Sequence, residues 1–139
     1  MILGKTIYII DSHTAGMPTR IIVGGVPGLP GGSIAEKAAY FRDHFDYIRT
    51  ALFQEPRRLL RGIGAVITAP ATSKAQLGVF YMDSTHQLIP MCGHGSIGVI
   101  TAAIEFGMVE DFSGLHSTHH GDVGIFPLLS CVPHHRASL

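Results

Sequence analysis

Apolar and polar positions along this chain recur in patterns that predict its elements in order. Thr6 to Ile10 is β-branched and aromatic and reads as a strand. Asp11 to Pro18 is a turn-forming stretch, and Thr19 to Val23 begins a second strand, so an antiparallel hairpin with a long loop is expected. Gly24 to Gly32 is a turn-rich connector, after which Ser33-Ile34-Ala35-Glu36 has the form of a capping box. Ile34, Ala38, Phe41, Phe45, Ile48 and Leu52 follow at spacings of four and three, the stripe of a helix packed on a core, and Pro56 stops it. Ala65 to Thr68 and Leu77 to Met82 read as strands joined by Ala69 to Gln76. Asp83 to His86 is a turn, and Gln87 to Ile89 is a short strand. An apolar run from about Ser96 predicts a second helix that ends at Gly107 as its C′ residue. Beyond Val109 the periodicity fades, with Asp122 to Phe126 the one strand-like segment.

Composition narrows the class. With 139 residues, 46% of them apolar and 14% charged, the chain has the material for one folded domain with a real core. Ten basic and ten acidic residues cancel, which argues against a nucleic-acid partner or an anionic membrane surface. No apolar run is long enough to span a bilayer, and the first residues lack a basic n-region and cleavage site. Cys92 and Cys131 are too few for a disulfide framework, so a reduced, cytoplasmic setting is expected.

The candidate chemistry concentrates between Leu88 and Gly107. There Pro90-Met91-Cys92-Gly93-His94-Gly95-Ser96 leads into the second helix. A helix beginning at this point aims unpaired N–H groups and its positive dipole end at the thiol, which favours a thiolate and a bound carboxylate. A cysteine there suits acid–base or nucleophilic work, although lone cysteines are most often small buried hydrophobes. His94 is open to three readings: a core histidine, a partner of the thiolate, or a substrate ligand. Gly93, Gly95 and Gly98 also satisfy a dinucleotide-binding glycine pattern, but Pro90 and Cys92 interrupt the required strand, and that reading is rejected. Asp11, Ser12 and His13 have triad chemistry, but sequence neighbours seldom point at one another, and side chains bonding the loop backbone are expected instead. The three arginines of the Arg57 to Gly64 stretch suit an anion patch or, more commonly, a solvated basic turn. His116, His119, His120, Cys131, His134 and His135 include zinc-compatible spacings without supporting architecture, so no metal is expected.

Asp11-Ser12-His13-Thr14-Ala15-Gly16-Met17-Pro18-Thr19-Arg20, Gln54-Glu55-Pro56-Arg57 and Met91-Cys92-Gly93-His94-Gly95 stand in the order seen in the proline racemase family, which the chain resembles over residues 6–109. That family includes 4-hydroxyproline 2-epimerases and trans-3-hydroxy-L-proline dehydratases. The resemblance implies an α+β fold: one lobe of the diaminopimelate-epimerase-like architecture, with a curved, mostly antiparallel sheet around a central helix. It implies cofactor-independent racemisation or epimerisation of proline or hydroxyproline at Cα, in which a cysteine from each of two lobes faces the substrate. Cys92 matches the first-lobe base, and Gly93 and His94 match substrate-contacting positions. The alternatives are the dehydratase, which shares the first cysteine, and an inactive single-lobe remnant. A small-molecule substrate is the implied partner, and a homodimer is an alternative way to complete the site.

Three departures stand out. Arg58-Leu59-Leu60-Arg61-Gly62-Ile63-Gly64 replaces a family segment in which an aromatic lines the pocket, leaving Ile63 at that place. Met17 stands where a glutamate is common. No second-lobe cysteine motif follows, and Cys131 lacks a glycine-rich helix start. Residues 110–139 are accordingly expected to be an atypical histidine-rich tail arising from a frameshift, read-through or truncated gene, with residues 1–109 as the N-terminal lobe.

Overall fold

The computed structural model describes residues 6–57, 61–73, 75–109, 116–117 and 122–124. Strand β1 (Tyr8–Thr14) and strand β2 (Met17–Gly24) form an antiparallel hairpin. Its connection is not the long loop expected from Asp11 to Pro18. Ala15 (φ 49°) and Gly16 (φ 85°) alone make the turn. Two successive left-handed residues match the twist of paired strands, so the polar run on either side continues the ladder. Asp11 pairs with Arg20, Ser12 with Thr19 and His13 with Pro18.

Helix α1 (Ile34–Phe53) starts at the expected capping box. Ser33 Oγ accepts from the Glu36 N–H, and the Glu36 carboxylate accepts from the Gly32 and Ser33 N–H groups, which hold its carboxyl below the ordinary range. The stripe is buried at Ile34, Ala38, Phe41, Ile48 and Leu52. Phe45 is half-buried and leaves helical geometry (φ −125°, ψ 17°), so α1 is kinked there.

Strand β3 (Ile63–Thr68) runs parallel to β2, with α1 as the crossover that reverses the chain. Strand β4 (Ala75–Met82) pairs antiparallel with β3 and with the two-residue β5 (Leu88–Ile89). Helix α2 (Gly93–Glu105) follows, ending at the expected Gly107, whose φ is 65°. Strands β6 (His116–Ser117) and β7 (Asp122–Gly124) extend the sheet through β4. The remainder of the Asp122 to Phe126 expectation, and most of the tail, lies outside the described residues. The sheet order is β1-β2-β3-β4-β7-β6 with β5 on β4, and every ladder except β2–β3 is antiparallel. The chain is thus α+β.

Strand alternation divides the core in two. Ile22, Val66, Phe80 and Met82 turn to α1, where they meet Phe41, Ile48 and Phe53. Ile21, Ala65, Val79 and Tyr81 turn the other way, to Val99, Ala102 and Cys92 of the α2 segment. Each large apolar side chain buried this way contributes about 1.5–3 kcal/mol. The α1 face is further clipped by buried cations: Lys37 donates to the Ala69 carbonyl at 2.7 Å, and Arg49 to the Ser84 carbonyl at 2.6 Å. Among the described residues no helix is long and apolar enough to cross a membrane.

Candidate active site at the start of helix α2

Helix α2 begins three residues earlier than its apolar run predicts, and the difference matters chemically. Cys92 becomes the N-cap residue (φ −136°, ψ 111°), and its side chain makes no capping hydrogen bond. The first helical bond runs from the Ser96 N–H to the Cys92 carbonyl at 2.8 Å. The N–H groups of Gly93, His94 and Gly95 precede that bond and point out of the helix end. No acidic side chain occupies the first turn. The positive end of the helix dipole is therefore left without a carboxylate of its own.

Cys92 is 8% exposed, and its Sγ lies 3.4 Å from His94 Nδ1. Gly93 faces open space, and a Cβ added there would meet nothing within 4 Å. Gly95 is pressed between Cys92 and the sheet. A Cβ on it would stand 3.0 Å from the Tyr81 ring and 3.2 Å from Cys92 Sγ. Gly98 is similarly close, since a Cβ would lie 2.7 Å from Ser12 Oγ. The glycines at 95 and 98 therefore let α2 settle onto the sheet.

The sheet positions this helix through side chains of its α2-facing rows. Thr14 Oγ1 donates to the His94 carbonyl at 3.0 Å. Tyr81, 2% exposed, has its hydroxyl 2.8 Å from Ser96 Oγ, which in turn donates to the Cys92 carbonyl at 2.8 Å. Burial pushes the Tyr81 phenol up to about 12, so it stays protonated at neutral pH. Ser12 Oγ and Thr19 Oγ1 are buried without a hydrogen-bond partner beneath Gly98.

Cys92, Gly93 and His94 are thus brought together at one helix end. Asp11, Ser12 and His13 are not, because strand alternation sends them to different faces. Asp11 accepts both arms of the Arg20 guanidinium, at 2.8 and 2.7 Å. His13 Nδ1 accepts from the Gly16 N–H at 3.4 Å, the one contact of the three that fits the expected loop-backbone role. Arg20 also donates to the Leu52 and Arg57 carbonyls, tying the hairpin to the end of α1. In the basic stretch, Arg57 bonds the Ala51 carbonyl at 3.4 Å, while Arg58 lies outside the described residues. Ile63 packs on the α2 side of the core, the side that carries Cys92. Among the described residues no group of three or more His, Cys, Asp or Glu is arranged to hold a metal ion, and the side chains of the tail histidines and Cys131 lie outside them. Thr14, Tyr81 and Ser96 escaped the sequence reading. Ser96 stands four residues from Cys92, a spacing that becomes informative once the helix is known to start at Gly93.

A family model described as proline racemase matches residues 9–119, ten residues past the resemblance read from the motifs. The proline racemase of Acetoanaerobium sticklandii is 49% identical over 110 residues, which is 79% of this chain and 32% of that protein. A trans-3-hydroxy-L-proline dehydratase of Bacillus cereus is 46% identical over 110 residues, 79% of this chain and 33% of its own length. Among solved structures, a hydroxyproline epimerase from Agrobacterium vitis with bound trans-4-hydroxy-L-proline matches with a TM-score of 0.70 and 25% identity, over 84% of this chain and 34% of that one. The chain spans about a third of the length of the curated relatives it matches.

Proposed function

Because the chain belongs to the proline racemase family, we propose that it supplies one half-site for cofactor-independent racemisation or epimerisation of proline or hydroxyproline at Cα. The single observation that carries this reading is Cys92 Sγ beside the open start of α2, with no acidic side chain in its first turn. The N–H groups of Gly93 and His94 bind the substrate carboxylate, and the Cys92 thiolate removes or returns the Cα proton on one face of the ring. A Cα–H beside a carboxylate is a very weak acid, so charge developing on that carboxylate must be stabilised. Preoriented N–H dipoles at a helix end suit that task. His94, in contact with Sγ, orients the thiol and the substrate neighbourhood.

Inversion requires a second acid–base group on the opposite face, supplied by further family sequence or by a second copy of the chain. Met91 and Ile97 are exposed apolar side chains on the Cys92 segment and the α2 turn that follows it, and they support a partner surface there. The dehydratase is the second reading, favoured by the 46% identity to the Bacillus cereus protein, and it uses the same Cys92 for the first proton abstraction. A cytoplasmic setting suits a reduced thiol.

The test is Cα–H exchange of L-proline and 4-hydroxyproline in deuterated water, followed by NMR. Exchange is expected with the native chain and is lost in Cys92→Ser. A folded native chain that exchanges no faster than buffer marks it as an inactive lobe. Loss of water from 3-hydroxyproline without exchange of proline favours the dehydratase.

A further inference from the structure

We propose that Ser96, oriented by Tyr81, is the positioning residue of the α2 start: it closes the first turn from inside the protein and leaves the Gly93, His94 and Gly95 N–H groups free for a carboxylate. This rests on the carboxylate-binding reading given above.

The two helices begin in opposite ways. At α1 the Ser33 hydroxyl accepts from the Glu36 N–H and the Glu36 carboxylate from the Gly32 and Ser33 N–H groups, so side-chain oxygens occupy that end. At α2 the N-cap is a cysteine without a capping bond, and no first-turn acid takes the place of Glu36. A serine or aspartate at position 92 would secure the turn by accepting from the N–H groups that the site needs. The Cys92 carbonyl instead receives two bonds from one residue, the Ser96 N–H and the Ser96 hydroxyl, each at 2.8 Å.

The proton count fixes the direction of the chain. Ser96 has a single hydroxyl proton and gives it to the Cys92 carbonyl, so the Tyr81 phenol must donate to Ser96 Oγ. The phenol is buried and protonated, and its ring packs under Gly95 next to Cys92 Sγ. The relay therefore runs from the rigid sheet, through Tyr81 and Ser96, to the backbone of the residue that carries the thiol. Its bonds end on a carbonyl, and none takes an N–H away from the ligand.

The experiment uses NMR of the labelled 139-residue chain, reading the Cys92 carbonyl, the Gly93, His94 and Gly95 amides, and titration with L-proline. Ser96→Ala is expected to move the Cys92 carbonyl upfield, shift the three amides, and raise the Kd for L-proline about two- to fivefold, as weakening of a helix-end interaction implies. Ser96→Thr, which keeps the hydroxyl, restores both. Tyr81→Phe keeps the ring beneath Gly95 and is expected to act in the same direction with smaller effect, which preserves the test if Ser96→Ala does not fold. A folded Ser96→Ala protein with lower thermal stability but unchanged Kd overturns the positioning role. Shifts in the ligand-free spectra with no L-proline binding by the native chain support the positioning role and overturn the carboxylate reading. Unmoved spectra with intact binding do the reverse.

Discussion

At the scale of single residues, glycines decide how near the helix end can come to its surroundings. Gly93 has open space where a Cβ would go. Gly93→Ala is therefore expected to stabilise α2 by about 0.5 kcal/mol through helix propensity, while its methyl group crowds the approach to the N–H groups. Thermal unfolding and L-proline titration read the two effects separately, and a variant that binds as tightly as the native chain excludes a carboxylate seat at that position. Gly98 is the opposite case, because a Cβ would collide with buried Ser12 Oγ and stand 3.4 Å from Thr19 Oγ1. Gly98→Ala should cost about 1–3 kcal/mol by lifting α2 from the sheet, visible as a lower denaturation midpoint.

At the scale of elements, the charged residues of the hairpin and of α1 act as clamps between segments. Arg20 bonds Asp11 on the neighbouring strand, the Leu52 carbonyl in the last turn of α1 and the Arg57 carbonyl just beyond it. Lysine has one compact ammonium and cannot reproduce that planar set. Arg20→Lys is expected to lose about 1–2 kcal/mol with the Cys92 environment unchanged, since the clamp faces α1. Equilibrium unfolding together with the Cys92 carbonyl resonance checks both halves of that expectation. The kink at Phe45 belongs to this scale as well. No proline or glycine occurs within α1, so nothing local announces it.

At the scale of the whole molecule, the acid side of the stability profile has an identifiable source. The Arg49 guanidinium, with His86 assisting, lowers the Asp46 carboxyl from 3.8 to about 2. A carboxyl depressed in the folded state contributes its full stabilisation above the unfolded value and loses it as pH falls through the folded one. Stability should therefore decline from about pH 4 towards about pH 2, and Asp46→Asn should flatten part of that decline. Urea midpoints measured across this range test it, and an unchanged slope in the variant assigns the acid sensitivity elsewhere. Arg49 also binds the Ser84 carbonyl, so the same pair joins α1 to the turn that leads toward α2.

The capping box, the α1 stripe, the central strands and the Cys92-Gly93-His94 run are legible in the sequence, because each is a local pattern of residue type and spacing. The sequence also carried the family, through ordered motifs that need no fold to be read. What it left open depended on pairing. The hairpin turn was legible only once Ala15 and Gly16 were seen to share left-handed geometry, which turned an expected loop into paired strand. Alternation across that ladder then sent Asp11 to Arg20 and Ser12 beneath α2. Glycines at 93 and 95 argue against helix and so move the expected start of α2 to Ser96, whereas the tertiary structure needs Gly95 small where the helix meets Tyr81 and leaves Gly93 facing open space. The Tyr81–Ser96–Cys92 relay joins residues from a strand and a helix, and only their packing on one face of the sheet brought it into being.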